Sequence, residues 1–223
     1  MKIGLIYTAT TPELTASVEQ AVKRAVGEDA ELISKSDPDI IREIRDWGYM
    51  TAAPAARLIG MYMQAALEGC DAVLNICSSV GEVADSAQDI ARFLGMPIVR
   101  IDEDMCREAV RRGGIIAVMA TLETTLEPTK NTIRRVAREM GRQVKLVDCL
   151  VDGAFGLNPE QFKARMLESA AGVADKADVI VFAQGSMAYC EAVVAARVHK
   201  PVLSSPRFGG PALRRALETK GLL

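Results

Sequence analysis

The sequence predicts an α/β protein of two pseudosymmetric lobes, each a mostly parallel sheet flanked by helices. Short apolar runs of strand length alternate with longer runs of helical periodicity, as in βαβ units. The alternation occurs in each half of the 223 residues, a length that suits one compact domain or two small lobes.

The first half begins with a strand over Lys2 to Thr8, which is followed by a helix near Glu13 to Val26. A second apolar strand covers Asp71 to Cys77, and a helix is expected near Glu82 to Leu94. The proline-led apolar segment GMPIVRI supplies a further strand.

The second half repeats this order. Ile115 to Thr121 is predicted to be a strand, and a helix follows near Thr125 to Met140. A helix near Pro159 to Lys176 then precedes the strand Asp178 to Gln184, and the segment HKPVLSS takes the place of GMPIVRI.

The two halves also match residue by residue. DAVLNICSSV, which begins at Asp71, lies over DVIVFAQGSM, which begins at Asp178, and KIGLIYT lies over IIAVMAT. A structural duplication explains the match, although aspartate followed by apolar residues is a pattern that chance also produces. We expect a first lobe of residues 1–98 plus about 207–223 and a second lobe of residues 99–206.

Matched strand ends mark the expected binding site. Ligands of open parallel sheets bind beyond the carboxyl ends of the strands, and two facing lobes would bring both sets of ends to one cleft. Cys77 and Gln184 end corresponding strands, and so do Thr8 and Thr121. The sequence therefore predicts an active site in a cleft between the lobes.

Composition and charge favour a polar small molecule as the partner. With 27 basic and 29 acidic side chains and 4% aromatic residues, the chain offers neither a basic field nor stacking platforms for nucleic acid. No apolar run reaches the roughly 20 residues that span a bilayer, and the N-terminus lacks the pattern of a signal peptide. We expect a cytoplasmic protein that binds neither nucleic acid nor membrane.

The sequence indicates no metal and no cofactor. The five cysteines form no C-x-x-C pair, and the single histidine, His199, cannot complete a zinc site. Dinucleotide, P-loop and zinc-protease motifs are missing from the sequence. The consecutive acids Asp102, Glu103 and Asp104 point in different directions, so we interpret them as the first turn of a helix. Four thiols are interpreted as core packing, namely Cys70, Cys106, Cys149 and Cys190.

Cys77 is the candidate catalytic residue. It lies where a strand ends and where Ser78 and Ser79 lead into a helix, so backbone N–H groups are expected to converge on its sulfur. Such donors lower the pKa of a thiol and favour a base or a nucleophile. A cysteine packed in the core is the alternative interpretation of this position.

Polar residues near the strand ends are suited to hold a substrate carboxylate. Any single serine or threonine hydroxyl here can equally well cap a helix or a turn. It is the clustering of these hydroxyls at matched strand ends that favours substrate binding. Gln184 can orient a substrate oxygen but exchanges no proton near neutral pH. Arg207, in a loop after the last strand, is a candidate partner for a second carboxylate, and so is Arg100. The candidate substrate-binding residues are Thr8, Ser78, Ser79, Thr121, Thr124, Gly185, Ser186 and Arg207, and Thr10, Thr11 and Thr125 have hydroxyls in the same regions.

The segments IGLIYTATTPELT, DAVLNICSS, IAVMATLETTLEP and DVIVFAQGSM resemble, in this order, the aspartate/glutamate/hydantoin racemase superfamily of PLP-independent enzymes. The resemblance extends over nearly the whole chain. It implies two lobes with the active site between them, no cofactor, and a small carboxylic or amino acid as substrate. In the typical member, one cysteine thiolate removes the α-proton and a second thiol returns one on the opposite face.

Cys77 matches the first cysteine of the family. At the second position, where the family resembles GC followed by a small residue and Gly-Met, this chain has Gln184 within AQGSM. Because an amide is no proton donor at neutral pH, the two-thiol mechanism is in doubt.

Three functions therefore stay open. The first is a cofactor-independent isomerase or racemase of a small carboxylic or amino acid, with Cys77 as base or nucleophile and Gln184 as orienting group. The second is a lyase or decarboxylase of a small dicarboxylic acid that uses Cys77 alone. The third is a non-catalytic protein that binds small acids on the same scaffold. A homo-oligomer is expected, since lobes of this kind often pair.

Overall fold

The computed structural model describes residues 1–154 and 156–223 and divides the chain into two compact units. Met1–Asp102 and Pro206–Leu223 form the first lobe, and Glu103–Ser205 form the second. Each lobe contains a four-stranded parallel sheet with helices around it, so the predicted α/β class is confirmed. The boundary expected after residue 98 would divide a strand of the first sheet, whereas the observed boundary follows Asp102.

The first lobe has the strand order β2-β1-β3-β4. Its elements before the second lobe are β1 (Lys2–Tyr7), α1 (Pro12–Val26), β2 (Glu31–Ser36), α2 (Pro38–Trp47), α3 (Ala52–Leu67), β3 (Ala72–Asn75), a 3-10 helix (Ser78–Val80), α4 (Gly81–Ser86), α5 (Gln88–Leu94) and β4 (Ile98–Arg100). In the register of β1 and β3, Ile6 lies opposite Asn75. Thr8 and Cys77, two residues further on, therefore leave the sheet at the same level.

The single helix expected near Glu82 to Leu94 is wrong, because two short helices, α4 and α5, meet at Ala87. Ala87 has φ -84° and ψ 0°, which interrupts the helical path. The Gln88 side-chain amide donates to the carbonyl of Ala84 at 2.8 Å and to that of Ile98 at 2.9 Å, which stabilises the break.

The second lobe has the equivalent strand order, β6-β5-β7-β8. Its elements are α6 (Glu103–Arg112), β5 (Ile115–Ala120), α7 (Glu123–Glu139), β6 (Lys145–Leu150), α8 (Pro159–Ala174), β7 (Val179–Phe182), a 3-10 helix (Gly185–Cys190), α9 (Glu191–Val198) and β8 (Val202–Ser204). Met119 lies opposite Phe182, so Thr121 and Gln184 leave this sheet as Thr8 and Cys77 leave the first.

The last helix, α10 (Pro206–Thr219), packs against α1 in the first lobe. Its Leu213 joins Leu5 of β1 and Val18 of α1 in one apolar cluster. Arg207 lies in the first turn of α10, so the expected loop at this position is wrong. Pro206 explains the early start, since proline is favoured at the first position of a helix.

Three helices begin with a capping side chain followed by proline, which supplies the fixed φ of the first turn. Thr11 accepts from the N–H of Leu14 at 3.2 Å, and Asp37 and Asn158 cap α2 and α8 in the same way. The Thr11 hydroxyl therefore caps a helix, which the sequence analysis had weighed against a role in substrate binding.

Gly210 allows the close approach of α10 to α1. A Cβ at this position would lie 2.3 Å from the carbonyl oxygen of Ala21, and backbone cannot move aside cheaply. We expect Gly210→Ala to lower the free energy of unfolding by about 1–3 kcal/mol. Gly60→Ala is the control, because a Cβ at this exposed position of α3 meets no atom within 4 Å and should stabilise the helix by up to about 1 kcal/mol. Urea unfolding of both variants measures the difference, and equal effects would contradict the packing argument.

Candidate active site

Cys77 follows β3 at the carboxyl end of the first sheet and precedes the 3-10 helix Ser78–Val80. Its extended backbone (φ -159°, ψ 117°) lets the side chain face the first N–H groups of that helix. Polar groups of Thr8, Ser79 and Val80 act on the thiol and lower its pKa, the Thr8 side chain most of all. Thr8 and Ser79 are themselves buried. The strand ends thus bring Thr8 and the start of the 3-10 helix to one thiol.

The pKa of the Cys77 thiol is raised from its ordinary value, because burial disfavours the thiolate. The hydrogen bonds from Thr8, Ser79 and Val80 oppose this effect without reversing it. The lowered pKa expected from the sequence is therefore wrong. A 3-10 helix of three residues supplies few N–H groups, and the sequence gives no measure of how deeply the thiol is buried.

A buried polar pair supports the backbone at Cys77, and the sequence analysis missed it. The Tyr62 hydroxyl donates to the Asn75 carbonyl oxygen at 2.9 Å, and the Asn75 amide donates to the Cys77 carbonyl at 3.1 Å. Asn75 is the one polar residue of the strand AVLN, which could have indicated its role.

Arg100 is buried and held by two carboxylates. It donates to both oxygens of Asp102, at 3.0 and 2.9 Å, and to Asp85 at 2.7 Å. Its guanidinium also lies against Gly81, where a Cβ would stand 2.2 Å from Nη2. Arg100 thus packs against α4, which follows Cys77 and the 3-10 helix, and stabilises its position. Of the three consecutive acids, Glu103 and Asp104 begin the helix α6, as expected. Asp102 lies just before that helix, and its carboxylate pairs with Arg100.

In the second lobe, Gln184 is bonded to Thr121. The Gln184 Oε1 accepts from the Thr121 N–H at 2.7 Å, and the Gln184 Nε2 donates to the Thr121 hydroxyl at 2.8 Å. Gln184 and Thr121 therefore form the same strand-end pair as Cys77 and Thr8. The amide joins β5 to β7.

The other predicted binding residues differ in exposure. Ser78 is buried in the 3-10 helix after Cys77, Gly185 is half-buried, and Ser186 and Arg207 are exposed. Thr124 lies in the first turn of α7, and its hydroxyl oxygen is buried without a hydrogen-bond partner among the described residues.

Of the remaining candidates, the four thiols interpreted as packing residues are buried, as predicted. His199 is exposed and ends α9 with φ 53°. Within residues 1–154 and 156–223 no group of three metal-ligating side chains comes together. No helix in that part of the chain is long and apolar enough to span a membrane. The homo-oligomer and the cytoplasmic location stay predictions.

Comparison with known proteins agrees with the fold. A family model described as Asp/Glu/hydantoin racemase matches residues 3–209. No curated protein sequence matches the chain.

Solved structures of three racemases resemble the chain at low sequence identity. Allantoin racemase from Klebsiella pneumoniae is 16% identical, with 100% of this chain and 89% of that one covered and a TM-score of 0.65. A glutamate racemase from Bacillus anthracis is 13% identical, with 99% and 83% covered and a TM-score of 0.74. Aspartate racemase from Picrophilus torridus is 13% identical, with 99% and 94% covered and a TM-score of 0.66.

Proposed function

The chain belongs to the Asp/Glu/hydantoin racemase family, and we propose that it acts at the α-carbon of a small carboxylic or amino acid with Cys77 as its base or nucleophile. Membership makes it a cofactor-independent enzyme of the racemase and isomerase type. The observation that supports Cys77 most directly is its place at the end of β3, level with Thr8 and directly before the 3-10 helix Ser78–Val80. Thr8, Ser79 and Val80 favour a thiolate that burial alone would disfavour.

The proposed reaction begins with transfer of the α-proton to the Cys77 sulfur. The carbon's electron pair then spreads into the substrate carboxylate as an enediolate-like charge, which hydroxyl and N–H donors stabilise. Thr8, Ser78 and Ser79 are proposed to bind the substrate near the thiol. Thr121, Thr124, Gly185, Ser186 and Arg207 are proposed as further contacts.

Gln184 limits the proposed reaction to one base. Its amide does not exchange protons near neutral pH, and it is engaged with Thr121. The thiol of Cys77 would then return the proton to the face from which it came. Exchange with solvent needs only Cys77, whereas inversion would need a second proton donor other than Gln184.

A lyase or decarboxylase of a small dicarboxylic acid is the second candidate, and the glutamine at position 184 favours it. Loss of carbon dioxide leaves an electron pair on the α-carbon, which a single thiol protonates. Such a reaction needs no donor on the opposite face.

Proton NMR in D2O tests the proposal. The panel contains small amino acids, hydantoins, malonates and maleate, and the protein is compared with its Cys77→Ala variant. Loss of the α-proton signal that requires Cys77 supports the proposal, whereas a new product containing deuterium supports the lyase. Silence over the whole panel, with ligand-induced shifts that survive the substitution, would favour a binding protein and contradict both.

A further inference from the structure

We propose that Tyr62 and Asn75 are positioning residues, which hold the Cys77 carbonyl and so fix the backbone from which the thiol and the following N–H groups project. The inference rests on the proposed role of Cys77 as the reactive thiol. It assigns a function to two residues that do not reach the sulfur themselves.

The pair forms a directed chain of hydrogen bonds in the first lobe. Tyr62 lies on α3 and is fully buried, and Asn75 ends β3 with 1% exposure. Because the tyrosine hydroxyl donates to Oδ1, the amide is oriented with Nδ2 toward the Cys77 carbonyl. Burial raises the pKa of Tyr62, and a thiolate at Cys77 would raise it further, so the hydroxyl keeps its proton.

The Cys77 carbonyl is shared between two donors. Asn75 Nδ2 lies 3.1 Å from it, and the Val80 nitrogen lies at the longer distance of 3.4 Å. The same Val80 N–H also lowers the pKa of the Cys77 thiol and so opposes the effect of burial. Because the Asn75 amide donates to the carbonyl at the shorter distance, the carbonyl holds the Val80 N–H less strongly, and that N–H can favour the thiolate.

The second lobe provides an internal comparison. Phe182 takes the place of Asn75 in the register of β7, and a phenyl ring donates no hydrogen bond. There the Gln184 carbonyl accepts from the Met187 N–H at 3.1 Å, a shorter contact than its counterpart at Cys77. Asn75 thus stands two residues before the thiol of Cys77, and the apolar Phe182 stands two residues before Gln184.

The free-energy cost of burying the polar groups of Tyr62 and Asn75 also argues that the two residues have a positioning role. An amide and a phenol within a sheet and helix core must both be hydrogen-bonded, whereas an apolar pair of similar size packs without that requirement. The second lobe shows that the scaffold accepts the apolar choice.

The test is the pH profile of Cys77 alkylation by iodoacetamide in the full chain, with Cys77→Ala as background and mass spectrometry to locate the adduct. The other four thiols are buried, which favours selective labelling. Asn75→Leu is expected to lower the rate at pH 8 by about tenfold and to move the midpoint upward by about one pH unit. Tyr62→Phe, which removes one oxygen, should lower the rate by roughly threefold.

Phe182→Leu is the matched control in the second lobe and should leave the Cys77 profile unchanged. An unchanged profile in folded Asn75→Leu and Tyr62→Phe overturns the proposal, and so does an equal shift in the control. Should Asn75→Leu fail to fold, Tyr62→Phe alone decides. Alkylation needs no turnover, so a protein that is silent in the D2O assay can still show the shift, and the two proposals fail separately.

Discussion

Replacing Cys77 with alanine is expected to reduce α-proton exchange by about 10²- to 10⁴-fold in kcat/KM, the range of a single general base. The thiol is the proposed acceptor of the α-proton, and removing it leaves the polar groups of Thr8, Ser79 and Val80 with no thiolate to stabilise. The measurement is α-proton loss in D2O, followed by NMR on the substrate that the panel identifies.

Cys70→Ala is the control for this substitution. Cys70 is a buried thiol of the same lobe, and it packs in the same apolar cluster that Cys77 touches. We expect a loss of stability with exchange activity retained. Exchange that persists in Cys77→Ala, or disappears equally in Cys70→Ala, would show that Cys77 is not the base.

The pH dependence of the same reaction has a definite sign. The thiolate is the active form of the base, so kcat/KM should rise with pH and level off above the pKa of Cys77. Because burial raises that pKa, the midpoint should lie above the ordinary value of a cysteine thiol. A midpoint below it would mean that substrate binding or another group reverses the effect of burial.

The strand ends were predictable from the sequence because they depend on local patterns. Asp71 and Asp178 each precede an apolar run, and the matched register brings Thr8 to Cys77 and Thr121 to Gln184. The sequence analysis found no strands at β2 and β6. Both are edge strands with largely exposed side chains, ELISKS and KLVDCL, and lack the apolar run of a central strand.

Long-range polar contacts were not predictable in the same way. Tyr62 and Asn75 are 13 residues apart on a helix and a strand, and Arg100 reaches back 15 residues to Asp85. Such pairs depend on how a helix packs on the sheet, which no local pattern encodes. The direction of the Cys77 pKa shift was predicted wrongly for a related reason. The shift is the difference between burial, which raises the pKa, and nearby hydrogen-bond donors, which lower it.

Gln184→Cys is expected to increase inversion of the substrate, because it adds a thiol where the proposed one-base mechanism has an amide. In the register of the second lobe, a thiol at position 184 would meet the Thr121 hydroxyl as the Cys77 thiol meets that of Thr8. In the racemase family that the chain belongs to, the thiol at this position serves the substrate face opposite to the first thiol. We expect the rate of inversion to rise by about 10²-fold or more, since a general acid is added where an amide stood. Polarimetry or chiral chromatography of the product measures inversion, and NMR measures exchange.

Two further variants isolate the role of the new thiol. Gln184→Ser removes the amide without adding a thiol, and it should leave inversion at the level of the unmodified protein. Combining Cys77→Ser with Gln184→Cys moves the only base to the other face, so exchange should switch to the opposite enantiomer. An unmodified protein that inverts its substrate as fast as it exchanges the α-proton would contradict the one-base mechanism, because a second proton donor would then already be present.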